Sequence, residues 1–503
     1  MSPLPDWLDP LYEADEMRAV DAWAIGDAGV PSLDLMERAG AGLARVAAAV
    51  AGDGPACLVI GKGNNGGDGL VAARHLREDG RPVRVLTVAP PGELRGDAAA
   101  NLERLPGDPP DAFAPERLDG AGVVVDALLG TGFEGTPRDP IAGAIAAINA
   151  QAAPVVACDV PSGVDASTGE VDGEAVAAAV TATFHGAKLG LWVEPGKSRA
   201  GTVEVIPIGV PRGSPAPGRA GLVSERILAL LPHRPRSGSK FDSGVVVVAG
   251  GARGLTGAPT MAALSAARSG AGYVQVAVPE SAQQVVELRL LEQMTRGLPD
   301  EDGGHTPAGV DELLSMAERA GAVVLGPGLG RTAGAVEFAR AAARAVEAPL
   351  LLDADGLNAL GGRLESLRGR SAPTVLTPHE AELGRLLGLE PAEVAAHRLA
   401  CARRAAEESG AVVLLKGDDT IVARPGGPVA VSPGGSPALA TAGTGDVLSG
   451  LIGALLAKRL GPFEAAALGA LAHARAGRAA AARHGADHVI AGDVIEALPD
   501  AFR

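Results

Sequence analysis

Short apolar runs that end in glycine or proline alternate with alanine-rich stretches along the 503 residues, and this alternation constrains the fold more than any other feature. A run of about five aliphatic, largely β-branched residues is typical of a strand buried on both faces. The intervening stretches, such as Leu70–Asp79, predict helices. Strands and helices that alternate in this way indicate a doubly wound α/β fold, in which helices cover both faces of a mainly parallel sheet.

The alternation occurs twice, which predicts two α/β domains without an internal repeat. The first set of predicted strands lies within 56–63, 82–90, 122–130, 153–163 and 201–210. The second set lies within 244–251, 272–279, 322–330, 349–356, 373–380 and 411–422, and a long helical end follows from about Val447 to Leu498. Pro211–Gly221 is rich in Pro, Gly and Arg and is typical of a linker. We therefore predict an N-terminal domain at 1–211, a linker at 212–221 and a C-terminal domain at 222–503.

Composition narrows the classes of partner and compartment. The net charge of −16 argues against nucleic acid as a partner, because phosphate backbones need clustered Lys and Arg. Cys57, Cys158 and Cys401 form no C-x-x-C pair, which disfavours a disulfide framework and a zinc site. The sequence has neither a basic, apolar leader nor an uninterrupted apolar run of membrane-spanning length. We expect a cytoplasmic protein without membrane contact, and the acidic, alanine-rich surface predicts a homo-oligomer.

The glycine-rich segment Gly61–Gly69, GKGNNGGDG, follows a predicted strand and satisfies the G-x-G-x-x-G dinucleotide pattern. A conventional NAD-dependent dehydrogenase would add an acidic residue at the end of the next strand, and Val83–Pro90 has none. A loop of small residues before a helix is then a phosphate cradle or a plain tight turn. The polar side chains Asn64, Asn65 and Asp68 favour the cradle.

Two further predicted strand ends bring oxygen-bearing side chains to the same sheet edge. One carries Asp126, and the other carries Asp159 and Ser162. Each Asp taken alone is more often a helix cap. Together, without Cys or His, these residues suit a hard cation.

The segments Gly61–Gly69, 124–132 (VVDALLGTG) and 159–169 (DVPSGVDASTG), with an entry region of Arg18, Asp21, Ile25 and Gly29–Gly40, resemble the NAD(P)H-hydrate epimerase family over about residues 11–210. The resemblance implies a Rossmann-like fold, potassium held by Asn65, Asp126 and Ser162, and Asp159 as the catalytic group that contacts the hydrate. It also implies that the substrate phosphates lie on Asn64, Asn65, Gly66, Gly67 and Asp68 and on the loop Gly130, Thr131, Gly132, Phe133, Glu134, Gly135 and Thr136. Lys188 is either near this site or an ordinary solvated lysine.

In the C-terminal half, the glycine-rich turn of Ala442–Lys458 opens a strongly apolar helix whose first amides suit a phosphate. Asp446 in the first turn is either a proton acceptor for a hydroxyl that attacks a phosphate or a plain capping residue. The chain has no G-x-x-x-x-G-K-[ST] motif, so it is not a P-loop enzyme.

The G-T-G-D turn resembles that of the ribokinase-like superfamily. Five further segments, 250–272, 326–330, 353–358, 377–382 and 415–422, resemble the ADP- or ATP-dependent NAD(P)H-hydrate dehydratases, over about residues 222–500. The resemblance implies that the hydrate contacts Ala258, Gly328, His379 and Asp446. It implies that Lys416, Gly417, Asp418, Asp419, Thr420 and Gly445 hold ADP or ATP with Mg²⁺. His379 has the alternative of a buried core histidine, and Glu382 is either near Mg²⁺ or an ordinary helix charge.

The two resemblances imply a bifunctional repair enzyme for hydrated NADH and NADPH. The N-terminal domain would interconvert the R and S epimers as an isomerase. The C-terminal domain would dehydrate the S epimer as a lyase, through a phosphorylated intermediate for which Asp446 removes the hydroxyl proton. Two alternatives remain open. The C-terminal half is a kinase for a sugar or pyrimidine alcohol, or the N-terminal half is a binding scaffold.

Overall fold

The computed structural model describes residues 4–234 and 236–503, and these form two compact units. The first unit contains residues 10–220, and the second contains residues 5–9 together with 221–503. Each unit is built on a mainly parallel sheet with helices, which confirms the predicted α/β fold class. None of the helices in the described ranges combines the length and apolar character that crossing a membrane requires.

The first unit is a parallel seven-stranded sheet with the strand order β4-β3-β2-β5-β6-β7-β8. The order reverses between β2 and β5, and the crevice at such a reversal is where α/β sheets bind ligands. After β1 (Leu8–Leu11), the elements are α1 (Ala14–Gly26), α2 (Ser32–Val50), β2 (Ala56–Ile60), α3 (Asn64–Glu78), β3 (Val83–Thr87), α4 (Gly96–Glu103), β4 (Asp111–Ala112), β5 (Val123–Ala127), α5 (Ile141–Asn149), β6 (Val155–Cys158), β7 (Val180–Phe184), α6 (Gly196–Ala200) and β8 (Thr202–Ile206).

Helix α3 begins inside the glycine-rich segment rather than after it. We predicted a helix from Leu70, whereas the structure starts it at Asn64, directly after β2 and a short turn. Glycine permits this early start because the helix lies very close to the preceding turn. A Cβ atom on Gly66 would lie 2.0 Å from the carbonyl oxygen of Gly61. The side chains of Asn64 and Asn65 are therefore presented by a helix end and not by a loop.

The second unit is an eleven-stranded sheet with the order β1-β9-β20-β19-β18-β17-β16-β15-β10-β11-β12. In the part of the sheet with the order β18-β17-β16-β15-β10-β11-β12, each strand is parallel to the next. The order reverses between β10 and β15. Its elements are β9 (Ala220–Val223), β10 (Val245–Ala249), α7 (Gly257–Arg268), β11 (Tyr273–Pro279), α8 (Glu280–Glu287), β12 (Met294–Leu298), β13 (Asp300–Glu301), β14 (Gly304–His305), α9 (Val310–Ala317), β15 (Ala322–Leu325), α10 (Ala333–Ala345), β16 (Leu350–Leu352), α11 (Asp355–Asn358), β17 (Thr374–Leu376), α12 (Glu380–Leu387), α13 (Pro391–Ala396), α14 (Arg398–Ser409), β18 (Val412–Leu415), β19 (Ile421–Ala423), β20 (Val429–Val431), α15 (Thr444–Ala457), α16 (Pro462–His484) and α17 (Ala491–Ala501).

Strand β1 belongs to the eleven-stranded sheet of the second unit, which we did not predict from the sequence. Strand β1 lies beside β9 at the sheet edge. The Trp7 side chain is 6% exposed and its ring centroid lies 5.5 Å from that of Phe463 on α16. The Trp7 carbonyl accepts a hydrogen bond from the Ser224 amide at 3.0 Å. Residues far apart in sequence therefore complete one core.

Trp7→Ala is expected to destabilise the second unit by about 3 kcal/mol, because it removes a buried aromatic ring from a packed contact. Hydrogen–deuterium exchange should show faster exchange of the β9 and β20 amides, with β2 and β5 unchanged. Trp23→Ala is the matched control, since Trp23 packs against the core of the first unit. It should give the opposite pattern. Unchanged exchange in β9 of Trp7→Ala would contradict the assignment of β1 to this sheet.

Candidate active sites

A cavity of about 1010 Å³ opens in the first unit where the strand order reverses. The predicted site residues that line it are Asn64, Asn65, Asp68, Gly130, Thr131, Gly132, Phe133, Glu134 and Asp159. Gly66 and Gly67 are buried within α3 behind this surface. Gly135 and Thr136 lie further along the loop, outside the cavity lining. The Thr136 hydroxyl there donates to the carboxylate of the exposed Asp172. The predicted cradle and the predicted catalytic residue thus face one cavity.

Asp159 is held at the end of β6 by an uncommon backbone conformation and by several donors. Its φ of +67° lies in the left-handed region, which side chains other than glycine rarely adopt. One carboxylate oxygen lies 2.6 Å from the Lys188 ammonium nitrogen. The other accepts the Thr131 amide at 3.2 Å and the Thr131 hydroxyl. The carboxylate is therefore fixed in direction as well as in place.

Lys188 is the main residue whose place the sequence left open. Its side chain is 1% exposed, and its ammonium also donates to the Phe184 carbonyl at 2.8 Å. The solvated-lysine alternative is therefore wrong. Burial opposes ionisation of Asp159, but Lys188 and the hydrogen bonds from Thr131 outweigh it and lower the pKa of Asp159. A lysine is almost never fully buried without a partner, so this pair is a built feature.

Asp68 and Asp21 also line the cavity, and their pKa values shift in the opposite direction to that of Asp159. Burial and then the charges of Asp159 and Asp21 raise the pKa of Asp68 well above its usual range. Burial also raises the pKa of Asp21, against the attraction of Lys188. Because one lysine faces several carboxyl groups, the pKa of Asp159 is lowered while that of Asp68 is raised.

Asn65, Asp126 and Ser162 meet around the Leu129 main chain. The Asp126 carboxylate accepts the Ser162 amide at 2.8 Å and the Ser162 hydroxyl at 2.6 Å. The Asn65 side-chain amide donates to the Leu129 carbonyl at 2.8 Å, and the Leu129 amide donates to the Ser162 oxygen at 2.9 Å. Burial raises the pKa of Asp126 to about 6, which a nearby cation would oppose. In the described ranges no group of three or more His, Cys, Asp or Glu side chains forms a metal site, so a cation here would rest on amide, hydroxyl and carbonyl oxygens as well.

The second unit gathers its charged side chains at the carboxyl ends of three neighbouring strands. Asp353 follows β16, and Lys416 follows β18; their charged atoms lie 3.0 Å apart. Glu382 on α12, after β17, lies 3.6 Å from the same ammonium. Burial would lower the pKa of Lys416, but these two carboxylates raise it. The Glu382 side chain is buried and also accepts the His379 amide, so it is part of this cluster and not an ordinary helix charge.

Asp446 lies in the first turn of α15, beside this cluster. The turn begins after Gly443, whose φ is +93°. Burial and the neighbouring Asp353 raise the pKa of Asp446 to about 7, although Lys416 opposes the shift. A carboxyl group with this pKa exchanges a proton readily near neutral pH, which is the property of a general base. Its side chain is half-buried next to Asp353 and Lys416, which favours the proton acceptor over a plain capping residue.

The predicted nucleotide segment is the tight turn between the antiparallel strands β18 and β19. The Thr420 hydroxyl closes it by donating to the Gly417 carbonyl at 2.6 Å. Asp419 is buried and lies 2.7 Å from Arg398, which also donates to the Lys416 carbonyl at 3.2 Å. Asp418 accepts the Gly435 amide at 3.0 Å. Asp419 is less exposed to solvent than Lys416, Gly417 and Thr420. Its burial against Arg398 indicates that it stabilises the shape of the turn.

Of the predicted substrate contacts, Ala258 and Gly328 lie at the reversal between β10 and β15, whereas His379 follows β17. Gly328 has a φ of +62°, and a Cβ atom on it would lie 3.1 Å from the Cβ of Ala258. Gly445 lies beside Lys416, since a Cβ atom on it would be 3.7 Å from the ammonium nitrogen. The side chain of His379 is 51% exposed, so the buried-core alternative for this histidine is wrong. Burial of its remaining surface lowers the pKa of His379, against the pull of Glu382.

Comparison with protein families gives matches in both units. A family model described as NAD(P)H-hydrate dehydratase matches residues 246–500, and one described as YjeF-related protein N-terminus matches residues 32–190. The bifunctional NAD(P)H-hydrate repair enzyme of Salinibacter ruber is 42% identical over 447 residues, which cover 83% of this chain and 82% of that protein. The enzyme of the same name from Moorella thermoacetica is 40% identical over 445 residues, covering 84% and 83%.

Among solved structures, the ADP/ATP-dependent NAD(P)H-hydrate dehydratase of Bacillus subtilis, co-crystallised with ATP and Mg²⁺, is 28% identical. It covers 56% of this chain and 97% of its own, with a TM-score of 0.49.

Proposed function

The chain belongs to the family of bifunctional NAD(P)H-hydrate repair enzymes, and we propose that its two units carry out successive steps of one repair. It is an enzyme with an epimerase and a nucleotide-dependent dehydratase activity on hydrated NADH and NADPH. We assign epimerisation to the predicted domain 1–211 and dehydration to 222–503, joined by 212–221. We further propose that the enzyme is located in the cytoplasm and forms a homo-oligomer.

The dehydratase step follows from the chemistry of the hydrate. Hydroxide is a poor leaving group at C6 of the reduced ring, whereas phosphate is a good one. Asp446 accepts the hydroxyl proton, the hydroxyl oxygen takes a phosphoryl group from ADP or ATP, and phosphate then leaves. Loss of a proton from C5 restores the ring double bond. The main support is the position of Asp446 at the amino end of α15, beside Lys416.

The nucleotide and Mg²⁺ would occupy the surface between the β18–β19 turn and the start of α15. We propose that Lys416, Gly417, Asp418, Asp419, Thr420 and Gly445 contribute to the nucleotide site, with Asp419 acting through Arg398 on the turn. Ala258, Gly328 and His379 would contact the hydrate. Bound Mg²⁺ would supply positive charge to the phosphate oxygens. Glu382, which lies at the edge of the Asp353–Lys416 cluster, would be the carboxylate nearest to such an ion.

For the epimerase step we propose Asp159 as the acid–base residue at C6 of the hydrate. Its ionised carboxylate faces the cavity and is held by Lys188, which can share a proton with it during the reaction. The amide-rich start of α3 and the Gly130–Thr136 loop would bind the substrate phosphates. A merely binding scaffold does not need a buried lysine–aspartate pair in its cavity, so catalysis is favoured over that alternative.

Two crossed substitutions test the division of labour. Asp159→Asn should abolish epimerisation but keep dehydration of the S epimer, and Asp446→Asn should do the reverse. The assay follows the near-ultraviolet absorbance of the reduced ring in an R and S mixture with Mg²⁺ and ADP or ATP. Asp159→Asn should recover only the S fraction and the slow spontaneous conversion of R. Wild-type epimerisation by Asp159→Asn would contradict its role, and a stable phosphorylated product would identify an ordinary kinase.

We propose that Asn65, Asp126 and Ser162 hold potassium, because the Ser162 hydroxyl contacts both the buried Asp126 carboxylate and the Leu129 main chain, and the Asn65 side-chain amide contacts the Leu129 carbonyl. Potassium bound there would supply a fixed positive charge next to the phosphate-binding loop. Ser162→Ala removes one oxygen, so the potassium concentration for half-maximal epimerisation should rise about tenfold.

The matched control is Thr181→Val, which removes a buried hydroxyl that donates to the Ala200 carbonyl at 2.6 Å elsewhere in the same unit. Melting curves in potassium and choline chloride at equal ionic strength give a second measurement. Potassium should raise the melting temperature of the wild type more than that of Ser162→Ala. Equal responses in the two salts would exclude the site.

The pH profile of dehydration should report Asp446. The residue must be ionised to accept the hydroxyl proton, so kcat/KM for the S epimer should rise with pH and reach half its maximum near pH 7. Lys416 lowers the pKa of Asp446, so Lys416→Met should move this limb to higher pH when measured at saturating nucleotide. A wild-type profile that is flat from about pH 6 to pH 8 would argue against Asp446 as the base.

A further inference from the structure

A buried hydroxyl on α15 connects the helix to the charged cluster at the strand ends. Ser449 lies one helical turn after Asp446 and is fully buried. Its hydroxyl donates to Asp353 at 2.7 Å, and the backbone carbonyl of Gly445 lies 3.1 Å from the same oxygen. The 2.7 Å contact to a carboxylate takes the single hydroxyl proton, because charge-assisted hydrogen bonds are the stronger ones.

The second oxygen of Asp353 continues the connection. It accepts the Lys416 ammonium at 3.0 Å, while the Asp353 side chain is only 2% exposed. One carboxylate therefore faces a hydroxyl of α15 on one side and an ammonium at the end of β18 on the other. Asp353 has both of its oxygens engaged, which leaves no oxygen of the group directed only at a ligand.

This arrangement fixes the ammonium relative to the start of α15. Lys416 Nζ lies beside Gly445, in the same helical turn as Asp446. A lysine side chain has several rotatable bonds and is precise only when its charge is held by fixed partners. Among its two acidic partners, Asp353 is the closer and is itself held by Ser449.

We propose that Ser449 is a positioning residue for the dehydratase reaction: by orienting Asp353, it holds the Lys416 ammonium beside the Gly443–Asp446 turn, where the phosphoryl group passes. This inference rests on the proposed phosphoryl transfer. Because Ser449 is fully buried, it acts through Asp353 and Lys416 and not by contacting the substrate or the nucleotide itself. Its contribution is to the placement of a positive charge during transfer, so its loss should lower kcat more than it weakens nucleotide binding.

The chain offers a matched control on the same helix. Ser265 on α7 is also fully buried, and its hydroxyl donates to the Val447 carbonyl of α15 at 2.5 Å. Ser265→Ala therefore removes a buried hydroxyl that contacts α15 without touching Asp353 or Lys416. It reports the effect of packing and helix stability alone.

The test compares Ser449→Ala, Ser265→Ala, Asp353→Asn and the double variant Ser449→Ala/Asp353→Asn in the full-length enzyme with the S epimer. Ser449→Ala should lower kcat about tenfold with the KM for ADP or ATP within about twofold of wild type, whereas Ser265→Ala keeps kcat. In the Asp353→Asn background, Ser449→Ala should cost little more, because its effect passes through Asp353. Melting curves and the epimerase activity verify that each variant is folded.

Three results would overturn the inference while the wild type still dehydrates the hydrate through a phosphorylated intermediate. One is an equal kcat for Ser449→Ala and Ser265→Ala. Another is a loss in Ser449→Ala that appears only in the KM for the nucleotide. The third is the same fold-loss from Ser449→Ala with and without Asp353→Asn. Failure of the wild type to transfer phosphate to the hydrate would instead overturn the proposed mechanism, and the inference with it.

Discussion

Parallel strand pairing is the constraint on which both active sites depend. A parallel strand must be followed by a crossover, so all carboxyl ends of neighbouring strands meet at one edge. Where the strand order reverses, between β2 and β5 and again between β10 and β15, two crossovers leave in opposite directions and a crevice remains. The glycine-rich turns follow β2 and β15 at these points. Strand pairing alone therefore brings side chains from distant segments together in each crevice.

In each unit a lysine contacts one of several closely spaced carboxyl groups. In the first unit Lys188 contacts Asp159 directly and lowers its pKa, whereas burial and the charges of Asp159 and Asp21 raise the pKa of Asp68. In the second unit Lys416 contacts Asp353, and Asp446 beside them keeps a pKa of about 7. What distinguishes these carboxyl groups is whether they contact the lysine directly. In the first unit the carboxylate in contact with the lysine has a lowered pKa, and in the second unit Asp446, beside the lysine pair, has a raised pKa near neutral pH.

The sequence predicted strands that carry an uninterrupted apolar run, such as β2, β10 and β15, because such a run is typical of a buried strand in an α/β chain. Among the strands that it did not predict are β1, β7, β9, β12 and β20. Strand β7 is VTATF, in which threonine interrupts the apolar run, and β12 is the polar edge strand MTRGL. Strand β1 is only four residues long and acquires its partner, β9, from more than two hundred residues away. Such strands are defined by their neighbours and not by their own pattern.

The same distinction applies to the site residues: motifs identify some of them, and long-range contacts define the others. Motifs located Asp159 and Asp446 because each lies at a glycine-rich strand or helix end. They gave no role to Ser449 or Asp353, and they left Lys188 undecided, because a hydroxyl inside an apolar helix and a lysine after a strand are ordinary in sequence. Their meaning depends on burial and on partners such as Asp353 and Ser449, which are 96 positions apart. A protonation state is likewise a sum over charges from several segments, so it becomes readable only when the fold has brought those charges together.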